Sequence, residues 1–169
     1  MATKLCSLPE WVDKRTATIY VAPNRAQAKV AIEELFAPHV KASINGRKIT
    51  RDEIDQLLLA MRPNEEGALG FFWTDMVGTS KDPSNRNGSL SGTYVISGLQ
   101  IPHPETGKLV PGFRRKGVAI IIESQSEDPT IDSRKIVEFV SVANNYPLDQ
   151  LAAQEKERRT YISKYGYKL

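Results

Sequence analysis

The spacing of hydrophobic residues changes about halfway along the chain. In the first half, apolar residues recur every three or four positions, and Ile54, Leu57, Leu58 and Met61 give the clearest example. This spacing is typical of one buried face of an α-helix. In the second half, apolar residues form alternating or nearly continuous runs that are typical of β-strands. The pattern therefore predicts helices first and strands afterwards.

Four strands are predicted in the second half. Their expected ranges are Leu69–Val77, Leu90–Ile101, Val110–Glu123 and Lys135–Asn145. The pair Asn87-Gly88 lies between the first two strands and is typical of a hairpin turn, because both residue types tolerate positive φ. Strands joined in succession by short turns are expected to form an antiparallel sheet.

Three helices are predicted before these strands. Ser7 with Glu10 has the pattern of a capping box for the first helix, and Thr50 with Glu53 has it for the third. Asn24 is a suitable N-cap for the second helix. Pro38 is expected to end the second helix, because proline cannot continue the helical hydrogen-bond ladder.

Two shorter elements complete the prediction. Val40–Ile44 is a candidate strand, and Asn45-Gly46 is expected to form the turn that follows it. A last helix is expected from Leu148 to about Lys164, with Leu151 and Ile162 buried.

The order of the elements predicts the fold class. Helices followed by consecutive strands are typical of an α+β fold in which the helices pack on one face of an antiparallel sheet. A strongly curved sheet wrapped around the N-terminal helices would form a cone with an internal pocket at its open end. The 169 residues are expected to form a single domain, with a core over about 8–147 and the C-terminal helix over 148–164.

The charge and composition of the chain indicate which kinds of partner, nucleic acid or membrane, are expected. The net charge is +3, and the only tight basic cluster in the middle of the chain is Arg114-Arg115-Lys116, so no nucleic-acid partner is expected. Cys6 is the single cysteine and cannot form an internal disulfide. The chain lacks both an apolar signal-peptide core and the run of ~18 apolar residues that spans a bilayer. We therefore expect a cytoplasmic protein without a membrane partner.

Two blocks of sequence resemble a known family. Glu34–Glu53 is similar to an opening that contains phenylalanine, proline, a short strand, asparagine-glycine and a helix, and Arg134–Phe139 is similar to the start of a last strand. The order and spacing of these blocks resemble the nuclear transport factor 2-like superfamily, and within it the SnoaL-like, polyketide cyclase-like group. The resemblance covers most of residues 8–147.

The resemblance implies a cone-shaped α+β fold with a deep apolar pocket, often in a homodimer. Members of the family include cofactor-independent isomerases, cyclases and dehydratases, as well as proteins without known catalysis. His39 stands where the family has an acid after the proline. In the epoxide-hydrolase branch an arginine and two aspartates carry the reaction, and this chain has Tyr94, Ile96 and Ser141 at those positions. Epoxide hydrolysis by that route is therefore not expected.

Alternation along the strands predicts which side chains face the pocket. On the last strand, Phe139 and Ser141 share the face that the resemblance assigns to the pocket. On the preceding strand, Arg115 shares a face with Gly117 and Ala119, and these small residues would leave room for a ligand. The opposite face of that strand would then lie outside, where a homodimer could cover its aliphatic side chains. Those side chains are Val118, Ile120 and Ile122.

Three residues are candidates for proton transfer. Asp75 shares a predicted face with Phe71 and Trp73, and a carboxylate among aromatic rings would have a raised pKa and could act as a general acid or base. His39 could move a proton at the pocket mouth, and Tyr94 could donate a hydrogen bond to a developing oxyanion. The alternatives are that Asp75 reaches water near the strand end, that His39 binds backbone at a strand edge, and that Tyr94 is a core residue.

Further residues are candidates for binding the substrate. Arg115 and Ser141 could orient an oxygen atom, although Arg115 could instead pair with a surface carboxylate. The expected apolar walls are Trp73, Ile96 and Phe139. No metal is expected, because the two histidines are far apart and have no acidic residues at matching spacing. No cofactor is expected, because the chain has no glycine loop suited to phosphate.

These candidates lead to two hypotheses of function. The first is a small cofactor-independent enzyme of the isomerase, cyclase or dehydratase type, working by acid–base chemistry or by shape alone. Its substrate would be an apolar oxygenated metabolite such as a polyketide or terpenoid intermediate. The alternative is a non-catalytic protein that binds a small molecule or dimerises as an adaptor. An ionisable group that points into the pocket would favour the enzyme.

Overall fold

In the described residues, three helices pack on one sheet of six strands, two of which lie between the second and third helices, and the predicted α+β class is confirmed. The computed structural model describes residues 5–62, 64–153 and 156. The elements are α1 Leu8–Val21, α2 Arg25–Leu35, β1 Phe36–Ile44, β2 Arg47–Ile49, α3 Arg51–Ala60, β3 Gly70–Ser80, β4 Gly88–Pro102, β5 Leu109–Ser124 and β6 Arg134–Pro147.

The helices begin at the predicted caps. The side chain of Asn24 accepts a hydrogen bond from the amide of Gln27 at 2.9 Å. At α3, the Thr50 hydroxyl accepts from the amide of Glu53 at 3.2 Å, and the Glu53 carboxylate accepts from the amide of Thr50 at 2.7 Å. At α1, the Ser7 hydroxyl accepts from the amide of Glu10 at 3.3 Å, but the described residues do not form the reciprocal bond of the predicted capping box. Each such cap typically stabilises its helix by about 1 kcal/mol.

The second helix ends earlier than predicted. It stops at Leu35, and the chain enters β1 at Phe36, so Pro38 lies inside a strand. β1 pairs with β6 in parallel, and the pairing is irregular between Phe36 and Lys41. Because proline has no amide hydrogen for a ladder, its place in this irregular stretch costs the sheet little.

The predicted turn at Asn45-Gly46 joins β1 to a strand that was not predicted. Both residues have positive φ, 51° and 79°, as a two-residue hairpin turn requires. The new strand, β2, has only three residues, which is too short for alternation to reveal it.

The turn between β3 and β4 lies earlier in the chain than predicted. Gly88 is the first residue of β4, and the connection runs from 81 to 87. Asn85, with a φ of 60°, takes the positive-φ position that was expected at Asn87-Gly88.

All six strands belong to one curved sheet that does not close. Their order is β2-β1-β6-β5-β4-β3, and every neighbouring pair is antiparallel except β1 and β6. We call the face that packs against the helices the inner face, and the opposite one the outer face. Buried apolar residues of the helices and of the inner face form one core. Its most completely buried side chains include Tyr20, Ile32, Ile96 and Ile122, each worth about 1.5–3 kcal/mol.

A buried arginine ties the end of α1 to the loop after α3. The Arg62 guanidinium donates hydrogen bonds to the carbonyls of Ile19, Tyr20, Ala22 and Gly67, at 2.6 to 3.2 Å. The last carbonyls of a helix have no partner within that helix, so Arg62 supplies the donors that the end of α1 lacks.

Most of the predicted C-terminal helix lies outside the described residues, including Ile162 and Lys164. A 3₁₀ turn at Leu148–Gln150 begins this region. The prediction that Leu151 is buried is wrong, because it is 45% exposed. In the part of the chain that the structure describes, no helix is long and apolar enough to cross a membrane.

Candidate functional site

Asp75 lies on the outer face of the sheet, so its predicted place among aromatic rings is wrong. Trp73 pairs with Tyr94, but Asp75 pairs with the adjacent Thr93, which makes Thr74 an extra residue in β3. A β-bulge of this kind shifts every later side chain to the other face. The Asp75 carboxylate is therefore exposed to solvent.

His39 also lies outside the interior. It is exposed on β1, next to the exposed Pro38. Three strands separate β1 from β3 in the sheet, so His39 and Asp75 are far apart and cannot act on one substrate.

The predicted faces of β5 are reversed. Arg115, Gly117 and Ala119 lie on the outer face, where Ala119 pairs with Ser91 and Val140. Arg115 is half-buried and makes no ion pair with another described residue, so the predicted pair with a surface carboxylate is not formed.

The aliphatic side chains that were expected outside belong to the core. They are Val118, Ile120 and Ile122, all buried. The reason is physical: large aliphatic groups gain more from burial under the helices than glycine and alanine do. The space expected beside Gly117 and Ala119 therefore lies on the surface, not in a cone.

This reversal brings Lys116 into the interior. Its side chain is only 4% exposed, and its Nζ lies 4.8 Å from the centroid of the Phe139 ring. No hydrogen bond or ion pair joins it to any other residue that the structure describes. Burial, and next the positive charge of Arg114, lower the pKa of Lys116 to about 7. Near neutral pH this amine is therefore partly uncharged.

Two buried phenols lie beside Lys116. Tyr94 is directly opposite Lys116 on β4, and its hydroxyl is 3.3 Å from the hydroxyl of Tyr20 on α1. Burial raises the pKa of Tyr20 to about 12 and the pKa of Tyr94 well above its ordinary value. Both phenols stay protonated at neutral pH, so one of the pair can donate outward while the other donates within it.

The predicted apolar walls lie on the inner face. Ile96 and Phe139 are buried, and the Trp73 ring is 4.8 Å from the Tyr94 ring in an edge-on arrangement. The indole Nε1 of Trp73 is buried and has no hydrogen-bond partner among the described residues. Ser141 is buried too, but its hydroxyl donates to the carbonyl of Ser43 at 3.3 Å. The hydroxyl hydrogen of Ser141 is therefore already bonded to a carbonyl of β1.

The interior is nearly filled by side chains. The remaining cavity measures about 20 Å³, enough for one water molecule. Its lining includes Tyr20, Trp73, Tyr94, Val118 and Phe139. Among the described residues, this interior cavity is much smaller than the deep pocket that the resemblance implied.

Arg114 lies at the rim of this interior, on the same side of β5 as Lys116. It is half-buried, its Nε donates to the Asn145 side-chain oxygen at 2.8 Å, and its Nη1 donates to Met61 Sδ at 3.4 Å. These contacts link β5 to the end of α3 and to β6. A flexible methionine and a long arginine can move aside with little loss of packing.

Sequence reasoning missed Lys116, Tyr20 and Arg114. For Lys116 a signal was available, because Val118, Ile120 and Ile122 alternate and mark a core face that extends back to Lys116. For Tyr20 no local signal exists, since only the packing of α1 on β4 brings it to Tyr94. In the described ranges, no three His, Cys, Asp or Glu side chains are grouped as a metal site would need.

The outer face carries a second notable surface. Val77, Val140 and Val142 are 71%, 54% and 67% exposed. They line two adjoining troughs of about 390 Å³ each. Aliphatic side chains this exposed on one face of a sheet are typical of a surface that another molecule covers.

Comparisons with known proteins give structural matches only. No protein-family model matches the chain, and no curated protein matches it in sequence. Candida albicans Mtr2 is 11% identical with a TM-score of 0.55, over 84% of this chain and 96% of Mtr2. A Xanthomonas campestris protein described as a calcium/calmodulin-dependent protein kinase II association domain is 13% identical with a TM-score of 0.52, over 85% of this chain and 96% of that one.

A third similar structure is described by the name of its fold. It is a nuclear transport factor 2-like protein of unknown function from Pseudomonas aeruginosa, 9% identical with a TM-score of 0.52, over 82% of this chain and 99% of that one. The chain therefore has the nuclear transport factor 2-like fold, and the predicted resemblance is confirmed at the level of the fold. A fold of this kind leaves the activity open, because function depends on the site.

Proposed function

We propose that this protein is a cofactor-independent acid–base enzyme whose site lies inside the cone, with Lys116 as the base. One observation carries the proposal: a lysine that is only 4% exposed has no ionic or hydrogen-bonding partner among the described residues. A lysine is almost never this buried without a partner, because desolvating an amine is costly. A cost of that kind is typical of a functional site.

The neighbouring groups suit proton transfer next to a carbonyl. A neutral Lys116 amine can accept a proton from the carbon beside a carbonyl group. The Tyr94 hydroxyl, with Tyr20 behind it, can donate a hydrogen bond to the oxygen on which negative charge develops. A pKa of about 7 lets Lys116 accept and return a proton at neutral pH.

The surrounding side chains define the class of substrate. Aromatic and aliphatic groups line the cavity, and the polar groups nearby are donors or a neutral amine. An apolar ketone or a related oxygenated metabolite fits such an interior. A substrate needs more than the 20 Å³ cavity, so its entry requires side chains around the cavity to move apart.

The experiment uses cyclohexanone as a probe, dissolved in deuterated water at neutral pH. Proton NMR follows the loss of the signals beside the carbonyl as deuterium replaces hydrogen. We expect the protein to accelerate this exchange and Lys116→Met to reduce the acceleration by at least about tenfold. Lys48→Met removes an exposed lysine and serves as the matched control. Exchange equal in both variants would contradict the proposal.

A second candidate function is association through the outer face. The exposed Val77, Val140 and Val142 favour it, because a second copy of the chain would remove these aliphatic groups from water. A homodimer of this kind is compatible with the enzyme, since the two faces of the sheet are independent. If association through the outer face were the only function, the protein would be a dimerising adaptor whose interior is filled by side chains.

A further inference from the structure

We propose that Lys116 is also a nucleophile, which forms an imine with an apolar aldehyde or ketone inside the cone. This inference rests on the proposed function, because it needs the same interior to admit a small carbonyl compound. It differs from that function in the role of the amine, which here forms a covalent bond to the substrate instead of only moving a proton.

The groups that face Lys116 leave its amine free to react. Tyr94 stands opposite it on β4, Ala143 stands opposite it on β6, and Phe139 lies beneath its Nζ. The charged group near it is the cation Arg114, and the titratable group opposite it on β4 is the phenol of Tyr94, whose hydroxyl contacts Tyr20 on α1. No described carboxylate pairs with it, so no ion pair with a described residue holds it as an ammonium ion.

The apolar environment of Lys116 and the neighbouring cation Arg114 both make its amine a better nucleophile. A lysine in an apolar environment, next to another cation, loses its proton more readily and keeps its lone pair available. The pKa of about 7 follows from the same two causes. At pH 7 the neutral fraction of Lys116 exceeds that of an exposed lysine on the order of a thousandfold.

The covalent step balances without any further reactant. The Nζ lone pair forms a bond to the carbonyl carbon while the carbon–oxygen π bond breaks, and one proton moves from nitrogen to oxygen to give a carbinolamine. The hydroxyl then takes the second proton of the amine and leaves as water, while the nitrogen lone pair forms the carbon–nitrogen double bond of a neutral imine. The Tyr94 hydroxyl can supply a hydrogen bond to the departing oxygen, with Tyr20 donating to Tyr94 in turn.

The test is reductive trapping of the full-length protein with cyclohexanone and cyanoborohydride at pH 7. Cyanoborohydride reduces an imine to a stable secondary amine, and peptide mass mapping locates the added cyclohexyl group. We expect modification of Lys116 to exceed that of exposed Lys48 by at least about tenfold. In Lys116→Met the same peptide must stay unmodified. Modification spread evenly over exposed lysines would overturn the inference.

The two proposals fail in different ways. Deuterium exchange that depends on Lys116, without trapping on Lys116, would leave the base role standing and refute the nucleophile. Neither exchange nor trapping at Lys116 would refute both. Because methionine fills a similar volume without a charge, Lys116→Met is expected to fold, and circular dichroism checks this. If it does not fold, the ratio of Lys116 to Lys48 modification in the unaltered protein still decides the inference.

Discussion

The Nζ of Lys116 lies 4.8 Å from the centroid of the Phe139 ring, inside the core and beneath the helices. A cation over an aromatic ring gains roughly 0.5–2 kcal/mol, much less than removing an ammonium ion from water costs. The ring contact therefore does not explain why a lysine stands there. When Lys116 is charged it lowers the free energy of unfolding, and this loss of stability can be measured.

The first prediction concerns the pH dependence of stability. The pKa of Lys116 is about 7 in the folded protein, against the ordinary lysine value of 10.5. Between these values the unfolded chain binds more protons, so the free energy of unfolding rises with pH, and below about 7 the destabilisation is complete. From pH 7 to pH 9 we expect the stability advantage of Lys116→Met over the unaltered protein to shrink by about 2 kcal/mol.

Urea denaturation at several pH values measures this difference. Lys48→Met removes an exposed lysine and serves as the matched control. Because both variants keep Tyr20 and Tyr94, the ionisation of those phenols cancels in the comparison. A Lys116→Met difference that does not change with pH would show that the amine has a solvated or ionic environment.

The second prediction concerns the bond between Tyr20 and Tyr94. Each single change to phenylalanine leaves one buried hydroxyl unpaired, and we expect each to cost about 1–2 kcal/mol. The double variant leaves no hydroxyl unpaired, so its cost should be less than the sum by about 1 kcal/mol. Thermal or urea unfolding of the four proteins gives this coupling energy. Tyr146→Phe, in a half-buried stacked pair with Phe113, is the control and should change stability by less than about 0.5 kcal/mol.

The third prediction concerns Arg62. Arg62→Met removes the donors for the carbonyls of Ile19, Tyr20, Ala22 and Gly67, and we expect a loss of about 3 kcal/mol or more in urea denaturation. Arg25→Met is the matched control. Arg25 forms an exposed ion pair with Glu65 at 3.3 Å, and its loss should cost less than about 1 kcal/mol. Equal effects of the two changes would contradict the structural role of Arg62.

The fourth prediction concerns the outer face. If a second copy covers it, Val142→Glu should convert a dimer into a monomer, because it would bury an unpaired carboxylate in the interface. Sedimentation velocity measures the oligomeric state. Val30→Glu, at a similarly exposed valine on α2, should leave the dimer unchanged. A monomeric unaltered protein at micromolar concentration would remove the second candidate function.

Local signals were sufficient for several parts of the fold. The Asn24 and Thr50 caps, the Asn45-Gly46 turn and the long strands β4 and β6 were predicted from a few neighbouring residues each. These features depend on backbone hydrogen bonds and turn geometry within a short segment, so a short segment suffices to predict them.

The face of the sheet on which each side chain lies was predicted less well, and Asp75 shows the reason. One extra residue, Thr74, moves Asp75 from the aromatic side to solvent. Side chains alternate with a period of two, so a single bulge reverses every later position, and the residue that bulges depends on pairing with β4. On β5, the small residues Gly117 and Ala119 were taken as the pocket side, although the larger aliphatics between them mark the buried side.

By itself the sequence determined the order and type of the elements and the α+β class, because those follow from hydrophobic spacing, caps and turns along the chain. Only the tertiary structure decided which groups meet. Tyr20 on α1 and Tyr94 on β4 are 74 positions apart and come within hydrogen-bonding distance because α1 packs on the inner face. The isolation of Lys116 was decided in the same way, since burial is a property of everything packed around a side chain.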